Sequence, residues 1–427
     1  MISQIKLQNF RCFEDTLVDF KDRRGSIRPL NVIYGDNVSG KTSFLMAFAF
    51  VKHSVESLHF DKLRQKRTTL RHKHNIDKFV LKDHIVRHYR KGSHSPMVIC
   101  LDFQSDNVLY RYKMVMIQGQ LIEESLYRKA RSEFILCFHY TRNELEWGTR
   151  IILSKDRKKI DELFKKYHSK YTILSILNYV NENKLENNIR VHDSIKIFLN
   201  QVSALYIEVD RYYSQKASSS FLYDHDLCPF EGYLTYNKDS AMKKSLPVVN
   251  NLLSMLFPEL HEISYKTTTV AKNYYKYELV INFKNTDGFY TIPNDDVPKS
   301  LFDFLSIMAI VLGTQKEYIY IIDNFANNIS YFSLKQLFES IIPIVDASCI
   351  FTMGDNDAMN LLNPRDIQIS WIKEGQYHID QLSSFLNAQQ NHNLRSRFEK
   401  GLLVPIERLP QIELGKNVSR YLNKVNV

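Results

Sequence analysis

Eight consecutive residues near the start of the chain have the types and spacing of a phosphate-binding loop. They match the pattern GxxxxGK[ST] and are Gly35, Asp36, Asn37, Val38, Ser39, Gly40, Lys41 and Thr42. Such a loop wraps a polyphosphate with backbone N–H groups, and the N-terminus of the following helix adds positive potential. Lys41 is expected to reach the β- and γ-phosphates, and Thr42 to ligate Mg²⁺. The pattern predicts a site for ATP with Mg²⁺, in which we include Ser43.

An acidic residue at the end of a neighbouring strand has to hold Mg²⁺ together with Thr42, and Asp323 is the best candidate. It closes the apolar run 318–322, which predicts a buried strand. The next residue is Asn324, where many such ATPases place a glutamate that polarises the attacking water. An amide holds a water but cannot accept its proton, and losing a general base typically costs about 10²–10⁴-fold in rate. We expect slow hydrolysis; the alternative is that Asp323 is a turn residue after a core strand.

Residues 61–94 are strongly basic, with eleven lysines and arginines against three aspartates and five histidines. Three interpretations stay open: contacts to nucleic-acid phosphates, an acidic protein partner, or a solvated excursion of the chain. The candidate contact residues are Arg64, Lys66, Arg67, Arg71, Lys73, Arg87, Arg90 and Lys91. The histidines form no recognisable metal motif, and the DxD acids Asp355 and Asp357 lack the partner residues of a nuclease.

The composition indicates a folded intracellular protein. The chain has 427 residues, 44% of them hydrophobic, and a formal net charge of +10. Its five cysteines lie far apart with no CxxC pair, which argues against a disulfide framework and fits a reducing cytosol. The first residues contain no apolar signal segment, and the longest apolar stretch, 301–312, is shorter than the roughly 20 residues that span a bilayer. We therefore expect a cytoplasmic protein.

The arrangement of apolar residues predicts the elements that position these groups. Period-two alternation over 97–143 indicates antiparallel strands, and helical spacing dominates 155–205. The remaining predicted strands are 5–10, 17–20, 30–34, 275–283, 288–292, 317–323, 348–353, 367–373 and 376–382, and the remaining helices are 43–51, 247–257, 301–313 and 333–345. The polar stretch 212–245 is expected to carry a mobile loop.

This order predicts an α/β fold whose core is divided between the two ends of the chain. Residues 1–150 would form the N-terminal part of the core with an antiparallel β arm. Residues 151–260 would be a helical insertion, and 261–427 the C-terminal part of the core.

Several motifs in this order resemble ABC-class ATPase heads of the SMC, RecF and OLD (overcoming-lysogenization-defect) group, with a mixed sheet. Within that group the chain most resembles bacterial AAA-type proteins of abortive-infection and other anti-phage systems. Besides the phosphate loop and Asp323, which resembles the Walker B acid, the similar segments are 5–13 (IKLQNFRCF), 109–112 (LYRY), 122–126 (IEESL), 350–355 (IFTMGD) and 365–369 (RDIQI).

The chain departs from that family's pattern at three positions. Asn324 replaces the Walker B glutamate, Gly354 occupies the place of the switch histidine, and the signature segment is reduced to 298–302, where Ser300 survives. The resemblance with these departures implies a nucleotide-binding switch that hydrolyses ATP slowly or not at all. It would act as a sensor or scaffold in bacterial anti-phage defence, assembling as a homodimer or higher oligomer and holding an effector from a neighbouring gene. The alternatives are a DNA-repair ATPase with slow turnover and a protein-interaction scaffold with vestigial nucleotide binding.

Overall fold

The computed structural model shows a mixed α/β protein whose described residues form sheets of seven, four and six strands. This architecture confirms the predicted fold class, with its antiparallel β arm and helical insertion. The structure describes the whole chain except residues 23, 67–79, 143, 184–188, 210–230, 236–245, 256, 272–273, 293–295, 297, 299, 302, 305–317, 326, 345–347, 355, 386–392 and 404–427. The predicted mobile loop within 212–245 falls largely outside the described residues, as does most of the predicted helix 301–313.

The six-stranded sheet joins strands from both ends of the chain. In order across the sheet, its strands are β17 (Gln376–Gln381), β16 (Ile367–Lys373), β3 (Leu30–Tyr34), β15 (Ser348–Thr352), β14 (Ile319–Ile322) and β9 (Leu205–Glu208). All neighbours are parallel except the β16–β17 hairpin. Because the central strands are buried on both faces, they read as continuous apolar runs. The carboxyl ends of the parallel strands therefore meet at one edge.

The seven-stranded sheet contains the predicted antiparallel strands of residues 97–143 and adds three more strands to them, and the whole sheet is called the arm below. Across it lie β2 (Phe13–Asp19), β1 (Ile2–Phe10), β4 (Met97–Ser105), β5 (Val108–Ile117), β6 (Gln120–Ala130), β7 (Glu133–Thr141) and β8 (Glu144–Trp147). Short turns with left-handed residues connect these strands: Asp106–Asn107 joins β4 to β5, and Gln118–Gly119 joins β5 to β6. The alternation of buried and exposed residues confirms the predicted strands.

Helices fill the space between these two sheets. They are α1 (Lys41–Lys66), α2 (Leu81–His88), α3 (Ser154–Tyr167), α4 (Ile173–Glu182) and α5 (Asp193–Ser203). One hydrophobic core joins the inner face of the arm, α1, α4, α5 and alternate residues of the six-stranded sheet such as Ile33 and Ile321. Residues of the opposite face, such as Val32 and Tyr320, belong to a second core.

The four-stranded sheet and the last helices pack against that second core. The strands are β10 (Glu231–Thr235), β11 (Leu260–Ala271), β12 (Tyr274–Asn285) and β13 (Gly288–Ile292), and the helices are α6 (246–255), α7 (Tyr331–Gln336), α8 (Leu382–Phe385) and α9 (Leu394–Glu399). Residues 333–344 of the predicted helix 333–345 are helical, but only their first part is α-helix. The α-helical part ends at Gln336, a π-turn follows, and a 3₁₀ turn contains Pro343, which has no N–H to donate.

A buried carboxylate connects the arm to the helices. Glu124 of β6 has no solvent exposure and accepts hydrogen bonds from Tyr112 Oη (2.9 Å), Ile173 N (2.6 Å) and Leu174 N (3.1 Å). The two backbone donors are at the N-terminus of α4, where a helix favours negative charge. Burial raises the pKa of Glu124 to about 7, although its hydrogen bonds oppose the shift. Glu124 therefore fixes α4 against the arm.

The substitution Glu124→Gln is expected to lower the free energy of unfolding by about 1–3 kcal/mol, because an amide N–H₂ group would face donors. Glu123→Gln is the matched control. Glu123 is only partly buried and pairs with Lys113 at 2.9 Å, a contact worth about 0–1 kcal/mol. Urea titration compares the two variants. If the free energy of unfolding decreases equally in both variants, the proposed role of Glu124 is contradicted.

The same comparison depends on pH. Because the pKa of Glu124 is raised from 4.5 to about 7 on folding, the folded protein holds a proton that the unfolded chain releases between these pH values. The stability contributed by Glu124 is thus present below about pH 4.5 and decreases as the pH rises to about 7. The difference in stability between the wild type and Glu124→Gln should shrink over that window.

Candidate nucleotide and magnesium site

The predicted phosphate loop lies where expected, between the end of β3 and the first residue of α1. Gly35 is buried, and a Cβ added there would come within 2.3 Å of the carbonyl oxygen of Ser370 on β16. Ser370 Oγ also donates to the carbonyl oxygen of Ser39 at 2.8 Å. The loop is therefore held against β16, and only a glycine fits at its first position.

Gly40, the second glycine of the loop, has different neighbours from Gly35. A Cβ there would lie 3.1 Å from Cys12 Sγ and Tyr377 Cδ1, and the backbone has a φ of +101°, which favours glycine. The exposed part of the loop consists of Asp36, Asn37 and Val38. The two glycines thus allow the chain to turn tightly between the arm and the β16–β17 hairpin.

Lys41 is the buried cation of the loop. Its Nζ donates to the carbonyl oxygens of Gly35 (2.6 Å) and Asp36 (3.0 Å). Burial lowers the pKa of Lys41, while the charges of Asp323 and Asp36 oppose that shift. A buried ammonium bonded to its own loop's carbonyls is a donor group that an anion can recruit.

Asp323 connects the loop to two further strands. Asp323 Oδ2 accepts a hydrogen bond from Thr42 Oγ1 at 2.7 Å, and Oδ1 accepts one from Thr352 Oγ1. Thr352 is the last residue of β15, which lies between β3 and β14. The strand order therefore brings together Thr42 and Asp323, the two predicted magnesium ligands, although 281 positions separate them in the sequence.

The positions where the chain departs from the resembled family have distinct environments. Asn324 follows Asp323 in a left-handed turn (φ +53°), and its N–H donates to Thr352 Oγ1 at 2.8 Å. Gly354 lies two residues beyond β15, and a Cβ there would be no closer than 3.9 Å to its nearest neighbour, Asn327 Oδ1. Ser300 starts a helical turn in which Leu301 and Phe304 are buried. The catalytic assignments of Asn324 and Gly354 and the binding assignment of Ser300 stay predictions.

Sequence reasoning missed β9 and the acid at its end. Glu208 pairs with Ile322 across the sheet, and its carbonyl oxygen accepts from Asp323 N at 2.7 Å. Its side chain accepts from Tyr206 Oη at 2.9 Å. Burial raises the pKa of Glu208, and nearby Asp303 adds to the shift. Because β9 has only four residues directly after α5, its pattern was too short to distinguish from the helix.

The basic candidate residues fall into three groups. Arg67, Arg71 and Lys73 lie outside the described residues, and Arg64 and Lys66 belong to the end of α1. Arg87 and Lys91 are exposed, whereas Arg90 is partly buried and pairs with Glu14 at 3.0 Å.

Helix α2 anchors this segment through its inner face. His88 is fully buried and stacks on Phe10, with ring centroids 5.4 Å apart. Burial lowers the pKa of His88 to about 3 and that of His84 to about 4, so both rings are neutral. Within the described part of the chain, no group of three histidine, cysteine or acidic residues is arranged to hold a metal ion. His88 therefore belongs to the core.

Comparison with known proteins identifies the family. Residues 1–295 match the family model described as AAA ATPase domain. The chain belongs to this AAA ATPase domain family. Among curated proteins, none has a matching sequence. In the described residues, no helix is long and apolar enough to cross a membrane.

Solved structures of SMC heads are similar to the AAA ATPase domain protein at low identity. An SMC head bound to the C-terminal winged-helix domain of ScpA has 11% identity and a TM-score of 0.49, with 88% of this chain and 96% of that chain covered. The SMC head domain from Thermotoga maritima has 10% identity and a TM-score of 0.36, covering 89% and 98%. A Pyrococcus furiosus SMC head with an extended coiled coil, bound to the C-terminal domain of ScpA, has 10% identity and a TM-score of 0.40, covering 88% and 95%.

The residues present fit a nucleotide with a divalent cation. The glycine-lined loop leaves backbone N–H groups and Lys41 for phosphate oxygens, and Thr42 with Asp323 supplies the oxygen donors that Mg²⁺ prefers. When bound, the cation would neutralise phosphate charge. This chain's own groups would orient the phosphates, and Thr42 and Thr352 hold the Asp323 carboxylate.

Gly35→Ala is expected to reduce nucleotide affinity at least about 10-fold, because the added Cβ would displace the loop from Ser370. The control is Gly375→Ala in the β16–β17 turn. Gly375 also has a positive φ (+74°) but has no atom within 4 Å of an added Cβ. Fluorescent-nucleotide titration measures both variants. The prediction is wrong if Gly35→Ala binds as tightly as Gly375→Ala.

Proposed function

We propose that this AAA ATPase domain protein binds ATP with Mg²⁺ at the loop 35–42 and works as a slow, nucleotide-dependent switch. The observation that carries the proposal is the hydrogen bond between Thr42 and Asp323, with an amide at the next position, Asn324. The groups proposed to hold the phosphates and the cation lie close together, and the residue after Asp323 is an amide, which cannot accept a proton from water. Nucleotide would then stabilise one conformer for a long time, by its differential affinity.

We further propose that this switch serves as a sensor or scaffold in bacterial anti-phage defence. Support comes from the resemblance of the motifs 5–13, 109–112 and 350–355 to AAA-type defence proteins. In this role the bound nucleotide would hold two copies of the chain, or one copy and an effector from a neighbouring gene, in one geometry. The division into 1–150, 151–260 and 261–427 and the cytoplasmic location belong to the same proposal.

The purified protein is expected to bind ATP but to turn it over well below ~1 s⁻¹, an ordinary enzyme rate. Lys41→Ala should abolish binding, because it removes the buried cation of the loop. Lys165→Ala, which removes an exposed lysine on α3, is the control. Asn324→Glu should raise turnover about 10-fold or more if only the base is missing, and adding Gly354→His should raise it further.

Two outcomes would overturn this proposal. An ordinary wild-type rate that Lys41→Ala removes would establish a working ATPase of the DNA-repair kind instead of a slow switch. Unchanged ATP affinity in Lys41→Ala would show that the loop is not the nucleotide site. Radioactive phosphate release and equilibrium binding measure the two quantities separately.

For the basic segment we propose contact with the phosphates of DNA or RNA through the exposed residues Arg87 and Lys91. Reversing both charges to glutamate should weaken binding of a duplex and reduce the slope of log affinity against log salt by about 2, one for each lost phosphate contact. Reversing Lys165 and Lys170, also exposed, makes the same charge change elsewhere. If both double variants weaken duplex binding equally, the proposed specific contact through Arg87 and Lys91 is contradicted.

A further inference from the structure

Thr352 makes two hydrogen bonds whose directions are fixed by chemistry. Its side chain is fully buried at the end of β15. Asn324 N–H can only donate, so Thr352 Oγ1 accepts from it at 2.8 Å. A hydroxyl has a single proton, and that proton is left for the Oδ1 atom of Asp323. Thr352 is therefore a donor to the acid and an acceptor from the residue after it.

The two oxygens of Asp323 have different partners. Oδ2 accepts from Thr42 of the phosphate loop, and Oδ1 accepts from Thr352. A carboxylate at the end of a strand can rotate about its side-chain torsions, but two donors from two different elements, α1 and β15, leave one orientation. The hydroxyl of Thr42 then directs its proton to Asp323, and its lone pairs stay available for a cation.

The turn after Asp323 does not depend on the Thr352 hydroxyl alone. The backbone of Thr352 also accepts from Phe325 N at 2.9 Å, and Asp323 N donates to Glu208 O. Removing the hydroxyl therefore leaves the backbone of this turn tied to strands on both sides. The variant tests the orientation of the carboxylate more than the fold of the turn.

We propose that Thr352 is a positioning residue for the magnesium site, whose hydroxyl fixes the Asp323 carboxylate so that Asp323 and Thr42 are aligned for the cation. This inference rests on the proposed nucleotide function. It gives part of the cation's contribution to nucleotide affinity to a residue that acts through Asp323. It predicts that loss of the hydroxyl weakens cation-assisted binding selectively.

The test measures affinity for ATPγS with EDTA and with Mg²⁺, and Mn²⁺ binding by electron paramagnetic resonance. Thr352→Val should bind ATPγS in EDTA within about 2-fold of wild type but lose about 10-fold of the enhancement given by Mg²⁺, as expected for a hydrogen bond to a charged group. Thr352→Ser should retain the enhancement. Ser370→Ala, which removes a loop-bracing hydroxyl, should change affinity equally in EDTA and Mg²⁺.

Thermal unfolding shows whether Thr352→Val is folded. If it is not, Thr352→Cys, with a weaker donor of similar size, takes its place and should lose part of the enhancement. If the wild type shows the Mg²⁺ enhancement and the folded valine or cysteine variant shows it in full, the inference is overturned. The proposed function then stays intact. A wild type that binds no ATPγS in either condition overturns the proposed function, and the inference with it.

Discussion

The carboxylate of Asp323 is the group on which the candidate site depends, because it accepts hydrogen bonds from hydroxyl groups on two neighbouring elements. Thr42 belongs to the loop after β3, and Thr352 ends β15. These contacts exist only because the sheet order places β15 between β3 and β14. An unpaired buried carboxylate would be costly, so the strand order, the burial and the two hydroxyls form one constraint.

The phosphate loop is also held by both large sheets. Ser370 of the six-stranded sheet contacts its start, and Cys12 of the arm lies beside Gly40. The far half of α1 is tied to α4, where Leu58 N donates to Ser175 Oγ at 3.0 Å. The N-terminus of α4 is in turn held by Glu124 of the arm. A continuous set of buried hydrogen bonds therefore links the arm to the helix that begins at the loop.

Local patterns predicted the parts of this arrangement that a short segment determines. The loop 35–42 and the strand before Asp323 were found because spacing and burial are encoded within a few residues. Thr352 and Ser370 were not found, since their roles come from strand pairing between distant segments. The helix over 333–345 was predicted from its apolar spacing, but that spacing does not reveal the change to π and 3₁₀ geometry that precedes and includes Pro343, a residue with no N–H to donate. Roles for Asn324, Gly354 and Ser300 stay predictions.

The amide at position 324 has two physical consequences that belong together. An amide cannot accept a proton from water beside the predicted cation site. Asparagine also suits the backbone conformation of this turn. Asn324 has a φ of +53°, a conformation that asparagine tolerates and that costs most other residues about 1–2 kcal/mol. Its N–H is fixed to Thr352, which also orients Asp323. A glutamate at this position would therefore have to act from a strained turn, so the left-handed conformation of the turn and the asparagine found there are consistent with one another.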